Sequence, residues 1–184
     1  MVTPAIPSGH TAIQAVRFTL LSHDQGQAEA LGLNLGDNFR GTYQGSHTWF
    51  EAAIIRDDRE EFPRNLIPTD EIEDIDAFNR DALSREHARE IRNPLKAGTM
   101  ERWEVQYNVQ AVYGIPKMHQ VVWMKDDVFN DEVETAARSK GARTGRGFVS
   151  MLRPGDRVAL VIRAQYHGWR NFIYGAKIEI FHAV

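Results

Sequence analysis

The chain has 184 residues, a formal net charge of −3 at pH 7 and no cysteine. This length fits one domain that can bury a core without cross-links, and the lack of cysteine excludes disulfides, thiolate nucleophiles and Cys-ligated metal centres. Nucleic-acid binders carry a concentrated basic surface, which this charge balance does not favour, so we expect no nucleic-acid partner.

The N-terminal sequence and the apolar segments indicate where the protein is located. The first twenty residues lack a basic start followed by an unbroken apolar stretch, so we expect no signal peptide. No segment approaches the roughly 20 apolar residues that span a bilayer. We therefore expect a cytoplasmic protein with no membrane partner, and the oligomeric state stays open, a homo-oligomer included.

Six segments have the period-two alternation, or the β-branched and aromatic content, of β-strands. In the first segment Val16, Phe18 and Leu20 alternate with polar residues, and over residues 103–112 apolar side chains alternate with acids and amides. The six predicted strands cover residues 12–21, 46–56, 103–112, 118–125, 157–166 and 174–184.

The region between the second and third strands differs in composition. Residues 57–101 hold 13 Asp/Glu against 7 Lys/Arg, a net charge of −6, whereas the rest of the chain has a net charge of +3. Apolar residues recur at three-to-four spacing over 69–92, which predicts one or two helices ending before Pro94. We interpret 57–101 as an acidic, partly helical insertion that caps the domain or docks a protein partner.

Two further short helices are predicted over residues 131–138 and 147–152. Between them the glycine-rich, basic run RSKGARTGRG, residues 138–147, is typical of a mobile loop with its arginines in solvent. It does not follow a strand with the lysine and threonine of a phosphate-binding loop.

Turn signals between strands, without a β-helix-β rhythm, favour an antiparallel sandwich over a parallel sheet. We predict one mainly β domain over residues 1–184, an antiparallel jelly-roll-like β-sandwich interrupted by the insertion. The expected core consists of Val16, Phe18, Leu20, Phe50, Ile54, Val105, Tyr107, Val109, Val122, Leu160, Ile162, Ile178 and Ile180.

Several blocks together resemble a known family. They are SHDQG at 22–26, GTYQGSHTWFEA at 41–52, WEVQYNVQAVYG at 103–114 and the run from Phe148 that contains LRPGD and HGWRN. They are similar to a poorly characterised fungal β-sandwich domain family with the blocks DQGW, HGTYxGSWTWFEA, LRPGD and PGWxN. The resemblance covers most of the chain outside the insertion. It implies a shape related to galactose-binding-like domains and no established activity.

The chain departs from the family pattern at three positions. Gln27 and His47 stand where the pattern has tryptophan, and His167 stands where it has proline. Stacking on sugars or bases depends on exposed aromatic faces, so these changes weaken a simple transfer of a stacking surface from the family.

Two strand ends supply candidate site residues. One face of a strand carries His47, Trp49 and Glu51, where an imidazole and a carboxylate can exchange protons with a bound substrate. The alternative is that this face is the solvent side of an ordinary strand. His23 and Asp24 follow a strand directly and suit ligand contact, or else a turn in which side chains bond backbone amides.

The run QYHGWRN, residues 165–171, is the best candidate binding loop. His167, Trp169 and Arg170 around a glycine turn can grip a carboxylate or sugar hydroxyls, unless Trp169 closes the sandwich end and Arg170 pairs with an acid. The polar residues of 103–112 can line a groove beside Arg163 and Gln165 if their strands are neighbours. The simpler interpretation is that they are solvated.

Other chemistries lack their motifs. The seven histidines show no HxH or HExxH spacing, and no GxSxG, Walker or dinucleotide-binding motif occurs, so we expect no metal and no cofactor.

Two functions therefore compete. The leading hypothesis is non-catalytic binding of a small polar ligand or glycan through loops at one end of the sandwich. Its ligand-binding residues are His23, Asp24, Trp49, Arg163, Trp169 and Arg170. The alternative is a small-molecule isomerase, cyclase or lyase of fungal secondary metabolism, whose catalytic residues are His47, Glu51 and His167. An enzyme predicts a pocket of roughly 300 to 1,000 Å³ holding a histidine and a carboxylate, whereas a binder predicts a shallow groove.

Overall fold

A computed structural model describes residues 1–9, 12–25, 41–57, 88–96, 102–111, 114–127 and 130–183. Its elements in chain order are β1 (Ile13–Asp24), β2 (Thr48–Asp57), β3 (Ala88–Ile91), β4 (Trp103–Tyr107), β5 (Lys117–Met124), α1 (Asp131–Ser139), α2 (Phe148–Met151), β6 (Arg157–Ala164) and β7 (Asn171–His182). The fold is mainly β, as the sequence predicts.

The strands form two antiparallel sheets. In the first sheet β1 is central, with β5 on one side and β7 on the other. In the second, β2 is central: β6 runs along one side, while β4 and β3 pair with successive parts of the other side. The mainly β, two-sheet antiparallel class is thereby confirmed, and the jelly-roll connectivity stays a prediction.

The core lies between the two sheets and is built around aromatic rings. Phe148 of α2 contacts Phe18 and Trp123 of the first sheet and Trp103 of the second, with centroid separations of 6.4, 4.9 and 5.1 Å. All four side chains are buried, together with aliphatic residues from both sheets. Edge-to-face aromatic pairs of this kind add to the free energy gained from burial alone.

The same two tryptophans hold the glycine-rich segment, residues 138–147, against the sheets. Trp103 Nε1 donates to the Arg146 carbonyl at 2.9 Å, and Trp123 Nε1 donates to the Arg143 carbonyl at 2.7 Å. Gly145 has a φ of 63°, and a Cβ atom there would overlap the Trp123 ring. The expectation of arginines in solvent holds for Arg138 and Arg146, which are exposed, whereas Arg143 is half-buried and the carbonyls of this segment accept from buried indole N–H groups.

The predicted helix over 69–92 is wrong at its C-terminal end. Residues Ala88–Ile91 form strand β3, and Ile91 packs against the core from this position. The remainder of that prediction, residues 69–87, lies outside the described residues, as does most of the acidic insertion. The two short helices after β5 are present at Asp131–Ser139 and Phe148–Met151.

Two expected core residues are exposed instead. Val122 of β5 faces outward at 48 % exposure, because its strand has apolar residues on both faces and the larger Trp123 takes the buried face. Ile162 of β6 has the inward orientation of Leu160 but is 51 % exposed. Residues 1–3 pair with the edge of β6 only from Val158 to Leu160, so they do not extend as far as Ile162.

Three of the four polar residues expected on the solvated face of 103–112 are buried instead, namely Gln106, Asn108 and Gln110, whereas Glu104 is partly exposed. Strand β2 pairs Phe50 with Gln106 but Glu51 with Glu104, so Val105 is an extra residue, a β-bulge. The bulge reverses the alternation after Val105. Gln106 and Asn108 therefore face inward, whereas Tyr107 faces outward beside Trp49.

We predict that His119 makes the fold sensitive to acid. Its ring is buried beside Leu20, neither ring nitrogen has a partner among the described residues, and its pKa is lowered to about 4, mainly by burial and also by Lys117. Between the ordinary value of 6.5 and about 4 the unfolded chain binds a proton that the native chain does not. The unfolding free energy should therefore fall as the pH drops through this window, by on the order of 3 kcal/mol in all.

Urea unfolding from pH 7 to pH 4 measures this dependence. His119→Leu should flatten the slope, whereas His167→Leu, at an exposed position, should keep it. Equal slopes in the wild type and His119→Leu would show that the buried imidazole is not responsible.

Candidate functional site

A cluster of partly exposed rings lies at one end of the domain, where β2 begins and the β6–β7 hairpin turns. We call it the aromatic rim and define it as His47, Gln165, Tyr166 and Trp169. The backbone N–H of Gln165 donates to the His47 carbonyl at 2.8 Å, which continues the pairing of β2 with β6. Trp169 N donates to the Tyr166 carbonyl at 3.1 Å, and Gly168 supplies the φ of 82° that this turn requires.

The rim side chains contact one another directly. The His47 ring lies 5.0 Å from the Tyr166 ring and 4.9 Å from the Trp169 ring, and the latter two lie 6.0 Å apart. His47 Nδ1 is 2.9 Å from Gln165 Oε1, so a neutral imidazole donates from Nδ1 and keeps Nε2 as an acceptor. Tyr166 is 51 % exposed, and its hydroxyl accepts from Gln165 Nε2 at 3.2 Å.

Glu51 lies on the same sheet but in a separate cluster. It is 5 % exposed and accepts a hydrogen bond of 2.8 Å from Trp49 Nε1. Arg163 Nε and Arg102 Nη1 lie 3.6 and 3.8 Å from its other oxygen. The Glu90 carboxylate raises the pKa of Arg102 through a side-chain hydrogen bond. Two cations and an indole therefore hold the Glu51 charge, and its geometry is that of a structural ion cluster.

His23 and Asp24 are both buried, which differs from the ligand contact expected of them. The His23 ring stacks on Phe172 and lies beside Tyr174, its Nδ1 contacts the Asp24 carbonyl, and its Nε2 lies 3.2 Å from the Tyr174 hydroxyl. Asp24 Oδ1 accepts from the Ala111 amide at 2.9 Å. Both residues lie within β1 and not in a turn after it, and they tie the end of this strand to its neighbours; only the bond from a backbone amide to the Asp24 side chain agrees with the turn interpretation.

His167 and Arg170 are exposed and flank the rim. The backbone N–H of Arg170 donates to Gln25 Oε1 at 3.0 Å, which holds the residue before β7 to the residue after β1. The structure thus brings His47 and Trp169 together, leaves His167 and Arg170 beside them, and places Trp49 and Arg163 with Glu51. Sequence reasoning missed Tyr166, although it lies inside the run already selected as a binding loop.

The groove expected between the polar face of residues 103–112 and Arg163 does not form, since β2 lies between β4 and β6. Asn108 instead links the two sheets inside the domain. It accepts from Ser22 Oγ at 2.7 Å and donates to Thr48 Oγ1 at 2.7 Å. A buried amide with both ends satisfied fixes the relative position of the strands it joins.

A groove of about 280 Å³ opens elsewhere, between residues 93–96, β4, α1 and the glycine-rich segment. Its described lining residues include no histidine, and their charged side chains are Lys96, Glu104, Glu134, Arg138, Arg143 and Arg146. In the described part of the chain, no three His, Asp or Glu side chains are placed to hold a metal ion, and no helix is long and apolar enough to cross a membrane.

Comparison with protein-family models, with curated proteins and with solved structures gives no match. The resemblance to the fungal domain family therefore stays a prediction that depends on the sequence blocks alone.

We predict that Glu51 stabilises the fold. Glu51→Ala removes the acceptor for the Trp49 indole and the counter-charge of two arginines, so the unfolding free energy should fall by about 1.5 to 3 kcal/mol. Glu51→Gln keeps an acceptor and should cost less.

Urea unfolding at pH 7 measures the effect. Glu132→Ala, at an exposed position on α1, is the matched control and should change the unfolding free energy by less than about 1 kcal/mol. A Glu51→Ala protein as stable as the wild type would contradict a structural role.

Proposed function

We propose that the protein binds a small polar ligand, a saccharide or a similar polyol, at the aromatic rim and does not transform it. The observation that carries the proposal is the convergence of His47, Tyr166 and Trp169 from two separate segments, with ring separations of 4.9 to 6.0 Å. Partly exposed rings at a loop-built end of a rigid β fold are typical of ligand-binding surfaces.

The chemistry around the rings suits a ligand with many hydroxyl groups. The Tyr166 ring offers a face for the C–H side of a sugar, as aromatic rings do in ligand sites. His47 Nε2 can accept a hydrogen bond from a hydroxyl, the Gln165 side-chain amide can donate or accept, and the exposed Arg170 guanidinium can donate. Trp169 Nε1 is itself buried and has no hydrogen-bond partner among the described residues, so the ring and not this N–H is what Trp169 offers at the surface.

The geometry supports binding over the enzyme alternative. His47 Nδ1 bonds the side-chain oxygen of Gln165, whereas Glu51 is held by Trp49 and two arginines. The candidate base and the candidate carboxylate therefore have different partners. His167 is exposed beside the turn. A catalytic pair requires hydrogen-bond reach between base and partner in an enclosed site.

Tryptophan fluorescence tests the proposal. Trp169 is the most exposed of the four tryptophans, because Trp49, Trp103 and Trp123 are buried, so a ligand at the rim should change its emission. We expect a saturable change with at least one member of a panel of neutral mono- and disaccharides. Tyr166→Ala should weaken binding between about twofold and tenfold because it removes a stacking face.

The control variant is Phe181→Ala, which removes an exposed aromatic ring at the far end of β7 and should leave affinity unchanged. Calorimetry of the same sugars provides a second measurement for Trp169→Ala, which lacks the fluorescent reporter. If no sugar in the panel binds, or if Tyr166→Ala and Phe181→Ala behave alike, the rim is not the binding surface. Conversion of a bound sugar would favour the enzyme alternative.

A further inference from the structure

The groove between residues 93–96, β4, α1 and the glycine-rich segment, which we call the basic groove, has the opposite charge to the whole chain. The described residues that line it include Lys96, Arg138, Arg143 and Arg146 against Glu104 and Glu134, a formal net charge of +2, whereas the chain carries −3. It shares no residue with the aromatic rim. A local excess of positive charge in a concave site attracts anions and raises their local concentration.

The two acidic side chains hold the cations in place. Glu104 contacts Lys96 Nζ at 3.2 Å through one oxygen and Arg143 Nε at 3.1 Å through the other. On the opposite wall, Glu134 contacts Arg138 Nε at 2.8 Å and accepts from Thr144 Oγ1 at 2.7 Å. Each carboxylate is therefore engaged twice, and the pairs hold Lys96, Arg138 and Arg143 along the walls of the groove.

Arg143 is oriented more strictly than a surface arginine. Its guanidinium carbon lies 4.9 Å from the centre of the Tyr107 ring, its Nε bonds Glu104, and its Nη1 donates to the Ala142 carbonyl at 2.9 Å. Stacking and two hydrogen bonds fix the plane of the guanidinium before any ligand arrives. A planar, preorganised guanidinium recognises oxyanions with little loss of side-chain entropy.

The backbone adds a donor to the same groove. In a trans peptide the C=O and the following N–H point in opposite directions. The Arg143 carbonyl points to the buried Trp123 indole, so the Thr144 N–H points away from the core. Thr144 lines the groove, and its amide has no hydrogen-bond partner in the described parts of the chain. Backbone N–H groups in glycine turns form anion-binding concavities of this kind.

We propose that the basic groove binds a small dianion, the phosphate group of a soluble phosphorylated molecule. The phosphate oxygens accept from the Arg143 guanidinium and the Thr144 amide, with Lys96 and Arg146 as the flanking cations. A phosphate monoester carries close to two negative charges at neutral pH, which matches the net charge of the lining. A volume of about 280 Å³ suits a small molecule.

Titration of the full chain with inorganic phosphate, followed in ¹H–¹⁵N NMR spectra, tests this inference without any substitution. The amide signals of Thr144 and Gly145 should shift and saturate at phosphate concentrations in the millimolar range. Amides of the turn Tyr166–Trp169 should not move, and sodium chloride at the same ionic strength should not reproduce the shifts. If phosphate leaves Thr144 and Gly145 unchanged at tens of millimolar, the proposal is wrong.

Charge-removing variants supply the second test. Lys96→Gln with Arg146→Gln should weaken phosphate binding at least about tenfold. Lys125→Gln with Arg153→Gln removes the same charge from exposed positions outside the groove and should change affinity less than about twofold. Equal losses in both pairs would indicate nonspecific attraction and overturn the assignment. Sugar binding at the rim should be unaffected by either pair, so the two proposals succeed or fail separately.

Discussion

Two indole hydrogen bonds determine how the two sheets meet at one edge. Trp103 belongs to one sheet and Trp123 to the other, and both donate to carbonyls of a single short segment, those of Arg146 and Arg143. Each N–H is buried, so the loss of its acceptor would leave a polar group without compensation. The segment therefore has to stay in place for both tryptophans to remain in the core. The basic groove has its position because one wall is this segment.

The polar interior constrains the other end in a comparable way. Asn108 bonds Ser22 of one sheet and Thr48 of the other, and the bulge at Val105 turns this amide inward. Apolar packing alone tolerates small slips between sheets, whereas hydrogen bonds of 2.7 Å do not. The start of β2, which directly follows His47, is thus held from inside, and this gives the rim a rigid support.

Alternation in the sequence was sufficient to find all six long strands, and composition was sufficient to find both short helices. It missed β3, because four residues in an acidic stretch, AREI, carry no repeat long enough to recognise. It also assigned the wrong face after Val105, because a bulge changes the phase of a strand without any mark in composition. For Val122, both faces of β5 are apolar, so period alone does not choose between them.

The two proposed sites also differ in how far the sequence indicates them. His47 and Trp169 come from runs whose polar and aromatic residues indicate a site in the sequence, and only their mutual contact depends on the folded chain. The basic groove could not be found from the sequence, because Arg143 lies 39 residues from its partner Glu104 in the chain. Val105 is the one residue of β4 that can be lost without changing the faces of the strand. Without it, Glu51 would still lie opposite Glu104 and Phe50 opposite Gln106, so Tyr107 would stay outside and Asn108 inside, and only the buried Val105 side chain would be missing. A single deletion elsewhere in β4 would instead exchange inside and outside for the residues beyond it.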